Sequence, residues 1–359
     1  MRFIFFFFFF INLTYSQQND SLPKNSKLKA IEIGLSSYFE NDTIALKKSY
    51  KKLLDFHLKD TDSTLLAKHY QYRAMFFELR YKKDSAYYYY HQSKNISKKI
   101  GDSLEVGRRL LSIAFLQKNV KDYLGAEVSF IEALKYLEPI NSYKYLERVY
   151  NGLGIVSDEL NQKEEALFYY NKALESNKIN KYDKGYLYII NNLGFLYQNR
   201  SQHKKAIYYF QKGLIFDSIK QKFPIQYAYL LENLAFSNYS LKRKKYVLQQ
   251  YNEVLKIRKH LKDFHELSLT HINLSNYYKD LKQNSKAKVH ANQALKYAKQ
   301  TNNNKKWLEA LENLSELTLG KQSKQYLRKY ISLNDSLFQK ERQLKNQFAR
   351  VRYETGKKE

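Results

Sequence analysis

The sequence predicts an all-α fold: a right-handed superhelical solenoid of about eight helical hairpins followed by a C-terminal helix. Three observations lead to this prediction. The 359 residues include only three prolines and 11 glycines, too few for a turn-rich β architecture. Hydrophobic residues make up 43% of the chain, enough to form a buried core. A pattern of small residues also recurs every 40 positions, which is typical of a helical-repeat protein.

Small residues define one phase of this repeat. Eight of them follow one another at intervals of 40 residues, with a single interval of 41. They are Gly34, Ala74, Ala114, Gly154, Gly194, Ala235, Ser275 and Ser315. Because a small side chain lets two antiparallel helices approach closely, we assign each of them to the first helix of a hairpin.

Two further phases belong to the second helix of each hairpin. Twelve residues after the small residue lie Leu46, Ala86, Ala126, Ala166, Ala206, Val247, Ala287 and Leu327. Four residues further lie Tyr50, Tyr90, Phe130, Tyr170, Phe210, Tyr251, Ala291 and Ile331. The positions predicted to pack the repeats together are Gly154, Gly194, Ala166, Ala206, Ala287, Tyr170 and Phe210.

Prolines and capping residues mark the predicted helix ends. The prolines, Pro23, Pro139 and Pro224, are expected outside helix interiors, where proline would break hydrogen bonds. Capping-box spacing occurs twice, at Asp102 with Glu105 and at Asp263 with Glu266. Both aspartates precede the small residue of their unit by twelve positions, so the first helix is expected to span about 16 to 18 residues.

The N-terminus has the pattern of a secretory signal. Arg2 precedes the apolar run Phe3–Leu13, and Thr14-Tyr15-Ser16 provides a cleavage site of moderately small residues. We therefore predict a signal peptide at 1–16, a linker at 17–27, the repeat array at 28–335 and a C-terminal helix at 336–359. The protein is expected to be exported to the periplasm or cell envelope. The alternative for the leader is an uncleaved membrane anchor.

The middle units carry a family resemblance. Asn192, Leu193-Gly194, Tyr197, Ala206 and Phe210 resemble the tetratricopeptide repeat in its longer form of about 40 residues. This resemblance implies a right-handed superhelix whose first helices line a concave groove that binds peptides or proteins.

The groove is expected to be lined by three stripes on the first helices. Two residues before the small position lie Asn192, Asn233, Asn273 and Asn313. Six residues before it lie Lys68, Arg108 and Arg148, and then Tyr188 and Tyr229. One residue after it lie Phe195 and Phe236, with Met75, Phe115 and Ile155 in earlier units. These residues suit an acidic, partly apolar, extended peptide. In the alternative interpretation the amides bond neighbouring helices, the aromatic rings pack between repeats and the cations are solvated.

The charge allows a second class of function. The formal net charge is +27, which would attract nucleic acid or anionic lipid if it were concentrated on one face. Lysines instead occur in nearly every segment, as expected of solvated helix faces. A protein or peptide partner is therefore predicted and no nucleic acid is expected. A basic nucleic-acid-binding solenoid is the alternative, and an envelope protein held near anionic lipid is a third.

No pattern for catalysis or cofactor binding is found in the sequence. The chain contains no cysteine, which excludes thiolate nucleophiles and cysteine-ligated zinc. His265, Glu266 and His271 lack the His-Glu-x-x-His spacing of a helical zinc site. We expect a non-enzyme without metal or cofactor.

The C-terminal segment carries half of a heptad pattern. Leu337, Leu344 and Val351 recur at intervals of seven, with Leu333 and Phe348 adjoining. This pattern predicts either self-association or a cap folded over the last repeat. The segment also looks like the juncture helix of bacterial envelope sensors, which implies that the repeats are the exported sensory portion of a signalling regulator.

Overall fold

The computed structural model describes residues 21–356, whose helices pair into eight antiparallel hairpins. The first helices are α1 (Ser21–Phe39), α3 (Ser63–Leu79), α5 (Ser103–Asn119), α7 (Tyr143–Glu159), α9 (Asp183–Asn199), α12 (Pro224–Ser240), α14 (Phe264–Asp280) and α16 (Asn304–Glu316). The second helices are α2 (Thr43–Asp60), α4 (Lys83–Lys99), α6 (Tyr123–Leu137), α8 (Lys163–Asn180), α10 (His203–Leu214), α13 (Val247–His260), α15 (Asn284–Gln300) and α17 (Gly320–Gly356). A one-turn helix, α11 (Ile219–Lys222), follows α10, and a 3-10 turn (Lys244–Tyr246) precedes α13.

The predicted fold class is confirmed. All eight small residues lie on first helices, and six first helices have the expected length of 17 residues. Gly194 shows why the position must be small, because a Cβ there would lie 2.3 Å from a ring atom of Phe210 on the paired helix. A Cβ on Gly154 would meet Tyr170 at 2.6 Å. These approaches leave no room for a side chain.

The core lies between successive units. Phe130 on α6 is fully buried in one cluster with Val149 and Leu153 on α7, the first helix of the next unit. Tyr170 on α8 lies in the same way with Leu193 on α9. Each hairpin therefore buries its second helix only when a following unit covers it.

The two kinds of helix lie on opposite sides of the solenoid. First helices of neighbouring units contact one another, as α7 does with α9 and α12 with α9. Among the described helices, consecutive second helices make no comparable contact. The first helices are thus closer together and form the inner, concave side of the array.

Part of the predicted linker, residues 21–27, is helical. Helix α1 begins at Ser21 and includes Pro23 in its first turn. Proline is compatible with this position because the amide groups of the first turn have no partner within the helix. The signal peptide predicted at 1–16 lies outside the described residues.

Both predicted capping boxes form only half of their hydrogen bonds. Asp102 accepts the backbone N–H of Glu105 at 3.0 Å, and Asp263 accepts that of Glu266 at 3.4 Å. Neither glutamate side chain returns to the capping residue, because Glu105 forms an ion pair with Lys68 and Glu266 lies 2.9 Å from a ring nitrogen of His265. For Glu105, the ion pair outweighs the weaker bond to a backbone amide.

The turns within hairpins and those between successive hairpins each contain one residue with positive φ. The sequence pattern did not predict this regularity. In the first nine turns these residues are spaced 20 apart: Asn41, Thr61, Tyr81, Gly101, Lys121, Asn141, Asn161, Lys181 and Ser201. After α13 the series continues with Lys262, Lys282 and Asn302. Only Gly101 and Gly320 satisfy this left-handed geometry with glycine. The other turns carry the strain of a side chain in this region.

The eighth unit departs from the repeat. The positive-φ residue of its turn is Gly320, 18 residues after Asn302 rather than 20, and this two-residue shortening rotates the helix that follows. Leu327 and Ile331, expected in the core, are 50% and 51% exposed. The half-buried side of α17 consists of Tyr326, Tyr330, Leu333 and Leu337.

The predicted boundary at residue 335 does not exist, because α17 is one helix of 37 residues. At 1.5 Å per residue it is about 55 Å long. Its C-terminal half neither caps the last repeat nor forms a coiled coil within the described chain, but crosses to the second unit and packs against α4.

Aromatic stacking anchors this contact. Phe348 is 1% exposed and stacks on Tyr87 of α4 with ring centroids 4.1 Å apart. Leu344 and Val351 adjoin the same cluster, and Lys121 forms an ion pair with Glu341 at 2.8 Å. Leu344, Phe348 and Val351 therefore hold the end of α17 against α4 in the N-terminal half.

The turn geometry generates a stability prediction. Lys282→Gly should raise the free energy of unfolding by roughly 0.5–1 kcal/mol, because glycine adopts positive φ without steric cost. Lys256→Gly, an equally exposed site inside α13, should lower it by a similar amount because glycine disfavours helix interiors. Urea denaturation followed by circular dichroism measures both. Loss of stability in Lys282→Gly would contradict the assigned backbone geometry.

Candidate peptide-binding groove

The predicted groove residues lie on the concave side. Each position belongs to a first helix, and the spacing of four residues between the outer and amide stripes places them on one helix face. Arg148, Tyr188 and Phe195 are exposed there, whereas Tyr229 and Phe236 are half-buried. The structure thus places Arg148, Tyr188 and Phe195 on the same side of neighbouring first helices.

The basic end of the stripe is partly neutralised by one acid. Glu105 on α5 accepts an ion pair from Lys68 on α3 at 2.9 Å and also contacts Arg108 and Arg109. Burial acts to raise the pKa of Glu105, but Arg109, Lys68 and Arg108 outweigh it and hold the pKa below its ordinary value. The sequence analysis recognised Glu105 only as a capping residue and missed this role.

The free cation of the stripe is Arg148. It is exposed, forms no ion pair within the described residues, and lies over the ring of Phe115 with 6.0 Å to the centroid. The exposed rings of Tyr188 and Phe195 on α9 follow it in the next unit. An unpaired guanidinium beside exposed aromatic rings can bind a carboxylate and an apolar side chain of one ligand.

The asparagines form a ladder between neighbouring first helices. Asn192 donates to the side-chain oxygen of Asn151 at 2.9 Å, and Asn233 donates to that of Asn191 at 2.9 Å. Asn273 continues the pattern by donating to Glu232 at 3.2 Å. In each case the donor lies two residues before its small position and the acceptor three residues before that of the preceding unit.

The geometry is compatible with both expectations for these amides, a bond to a neighbouring helix and a contact with a peptide backbone. Each of the three asparagines bonds a neighbouring helix, as the structural alternative expected. Asn192 and Asn233 are only half-buried, and their side-chain oxygens accept no hydrogen bond from any described residue. Those oxygens can still receive a peptide N–H.

Asn313 is the exception in the ladder. The position that should accept its hydrogen bond holds Ile272, which has no polar atom. The side-chain nitrogen of Asn313 is buried and has no partner in the described chain. Asn313 is 8% exposed and does not belong to an open groove.

A buried ion pair at the end of the ladder was not anticipated. Glu232 on α12 and Arg258 on α13 lie 2.6 Å apart, and both side chains are 1% exposed. Arg258 also donates to the backbone oxygen of Glu266 at 3.0 Å and to Thr270. Burial raises the pKa of Glu232 although Arg258 opposes this. Arg258 occupies a core register position, which is the sequence signal that could have revealed it.

The histidines considered for metal binding are separated in the structure. His265 lies 2.9 Å from Glu266, while His271 on α14 contacts His290 on α15 through their Nδ1 atoms at 2.9 Å. Residues 21–356 contain no group of three or more side chains arranged to hold a metal ion. None of the helices in this part of the chain is both long and apolar enough to cross a bilayer.

Comparisons with known proteins agree with this architecture. The sequence model of the tetratricopeptide repeat matches residues 147–180, most of the hairpin formed by α7 and α8. No curated protein sequence matches the chain. Among solved structures, the apo form of the quorum sensor NprR from B. thuringiensis superposes with a TM-score of 0.68 at 17% identity, over 88% of this chain and 89% of that one.

Two further structures show the same fold. The apo form of RapI has a TM-score of 0.62 at 14% identity, over 77% of this chain and 99% of that one. The Rap conjugation gene regulator of plasmid pLS20, in complex with the Phr* peptide, has a TM-score of 0.61 at 12% identity, over 88% and 96%. At these identities the likeness concerns the fold.

The stacked hairpins define a helical-repeat scaffold, since its core lies between units. The small and aromatic packing positions, with the match at 147–180, specify the kind of repeat. Residues 147–180 are therefore similar to a tetratricopeptide repeat, and the array around them shares the helical-repeat fold of these structures.

The ladder predicts that the same substitution, Asn to Ala at the same repeat position, has unequal effects on the free energy of unfolding in two units. Asn273→Ala removes a donor from the buried carboxylate of Glu232 and should cost roughly 1.5–3 kcal/mol of unfolding free energy. Asn313→Ala removes a buried donor that has no partner, so stability should stay within about 0.5 kcal/mol or rise. Chemical denaturation of both variants checks this. Equal losses would show that the ladder bonds do not contribute as described.

His271 predicts a specific acid sensitivity. Burial, with His290 and Lys259 nearby, lowers its pKa from 6.5 to about 4. The folded state favours the neutral ring. The contribution of His271 to the free energy of unfolding is therefore complete above pH 6.5 and is lost as the pH falls from 6.5 towards 4. The loss at pH 4 should amount to about 3 kcal/mol at most.

Melting temperatures between pH 7 and pH 4.5 test this assignment. His271→Gln should flatten the decline in melting temperature over this range. His260→Gln, a control at an exposed histidine, should follow the wild-type curve. An unchanged decline in His271→Gln would rule out His271 as the responsible group.

Proposed function

We propose that this protein binds an extended, acidic and partly apolar peptide segment in its concave groove and acts as a scaffold without catalysis. The observation that carries the proposal is the stripe formed by Arg148, Tyr188, Phe195 and the ladder amides on adjacent first helices. Such a ligand would place a carboxylate on Arg148, apolar side chains on the rings and its backbone against the amides.

Structural neighbours support a peptide as the ligand class. NprR has been solved with its cognate peptide NprX, and a Rap protein with the competence and sporulation factor. Those ligands belong to those proteins. What carries over to this chain is the fold, an array of similar shape, which favours a peptide over a small metabolite.

Export to the cell envelope is part of the proposal. It is supported by Arg2, the apolar run Phe3–Leu13 and the small residues that follow. The array would then serve as the exported, sensory repeat portion of a signalling system whose output belongs to another protein or domain. The docked end of α17, released from α4, provides a route to self-association through Leu344, Phe348 and Val351.

Nucleic-acid binding is the competing function, supported by the net charge of +27. It makes a different experimental prediction, because an affinity that arises from phosphate contacts falls steeply with salt. A peptide whose apolar side chains are bound by Tyr188 and Phe195 should show a weaker salt dependence. Membrane association through anionic lipid would likewise depend on salt.

Selection from a displayed library of random twelve-residue peptides tests the groove. Selected peptides should be enriched in Asp or Glu together with Phe, Leu or Tyr. Arg148→Glu and Tyr188→Ala should each weaken peptide binding at least tenfold, because each removes a proposed contact with the peptide. Both side chains are exposed, so their loss leaves the core intact. Fluorescence anisotropy of labelled peptides gives the affinities.

The control is Lys178→Glu, which makes the same charge change as Arg148→Glu at an exposed site on the outer helix α8. It should bind the selected peptides as wild type does. Peptides without acidic enrichment, or equal losses in Arg148→Glu and Lys178→Glu, would reject the proposed groove. Tight, salt-sensitive binding of single-stranded RNA in place of peptides would establish the competing function.

A further inference from the structure

A second concave site lies at the C-terminal end of the array, outside the groove. It is a cleft of about 560 Å³ between α16 and α17 that also reaches the end of α15. Trp307, Leu311 and Leu333 line its apolar part. The volume falls within the range of small-molecule sites in proteins.

Three cations surround this apolar part. Lys299 comes from α15, and Arg328 and Lys329 come from α17, so separate helices converge on the cleft. None of the three forms an ion pair with a carboxylate in the described part of the chain, and no acidic residue lines the cleft. The ammonium of Lys299 instead lies 5.4 Å from the centre of the Trp307 ring.

The cleft arises from the departure of the eighth unit from the repeat. The shorter spacing between Asn302 and Gly320 rotates α17, so its register against α16 differs from that of the earlier hairpins. Trp307 on α16 is only half-buried, and Arg328 and Lys329 are exposed. In the earlier units, buried side chains occupy the two packing positions of the second helix, 12 and 16 residues after the small residue.

We propose that this cleft binds a small anionic amphiphile, a molecule with an alkyl or aryl body and one carboxylate, sulfate or phosphate head. Its body lies against Trp307 and Leu333, with the buried Leu311 beneath, and its head contacts Arg328 and Lys329, while Lys299 lies near the Trp307 ring. Three unpaired cations favour an anion, and the apolar lining excludes a fully hydrated one. A second copy of the chain is disfavoured because α17 carries nine Lys and Arg against three Asp and Glu.

Trp307 provides the measurement, because it is the only tryptophan of the chain. The full-length protein is titrated with decanoate below its micellar concentration while tryptophan emission is recorded. We expect a saturable blue shift. Acetate, which has the head alone, and decanol, which has the body alone, should bind at least tenfold more weakly.

Charge-neutral variants locate the head. Arg328→Gln combined with Lys329→Gln should weaken decanoate binding at least tenfold, and both side chains are exposed, so the fold is retained. Lys321→Gln combined with Lys324→Gln removes the same charge from the same helix outside the cleft and should bind as wild type does. Equal binding by both double variants would overturn the proposal, as would an equal response to decanol.

Two further outcomes would also reject it. A response to vesicles containing phosphatidylglycerol, without a response to monomeric decanoate, would make the end of the array a lipid-surface contact. If tryptophan emission shows no saturable change, the cleft does not bind an amphiphile. The result is independent of the groove, since Arg148→Glu should leave decanoate binding unchanged.

Discussion

The whole architecture depends on the close approach of two antiparallel helices at one small residue per unit. At Gly194 a single methyl group would overlap the ring of Phe210, and the same ring lies in the cluster that joins its hairpin to the next. Close approach within a hairpin and burial between hairpins therefore rest on the same aromatic side chain. No unit is stable without its neighbours, and the stacking that results brings the first helices together on the inner side.

This constraint also determines what the groove can contain. The first helices of adjacent units touch, so polar side chains at the contact must find partners. The asparagine ladder supplies them as hydrogen bonds between neighbouring helices, with acceptors that run from Asn151 to Glu232. The same amides are half-buried in the middle units and keep an unused oxygen on the inner face. The proposed binding role thus coincides with a structural one at Asn192 and Asn233, whereas Asn273 is buried and structural and Asn313 is buried without a partner in the described chain.

The parts of the structure that were predicted from sequence are those set by the repeat period. Hairpin number, helix length and the packing of Gly154, Gly194, Ala206 and Phe210 all follow from residues that recur at one phase. The period also placed the groove stripe on the first helices. It indicated which residues share a face, but not how each side chain is satisfied.

What escaped prediction depends on single contacts rather than on periodicity. The spacing from Asn302 to Gly320 is two residues shorter than the 20 residues of the regular units, and this places Leu327 and Ile331 outside the core. The docking of Phe348 on Tyr87 joins residues far apart in the sequence, and no local pattern reports such a pair. Glu105 was recognised as a capping residue, yet three neighbouring cations bind its carboxylate.

The central claim is that the inner face of the first helices is the binding surface, and photo-crosslinking tests it most directly. A selected peptide carrying a photoreactive phenylalanine would be irradiated on the wild-type protein and the crosslinked residues identified by mass spectrometry. The account predicts crosslinks in α7, α9 and α12, near Arg148, Phe195 and Tyr229. Crosslinks confined to second helices such as α6 and α8 would contradict it.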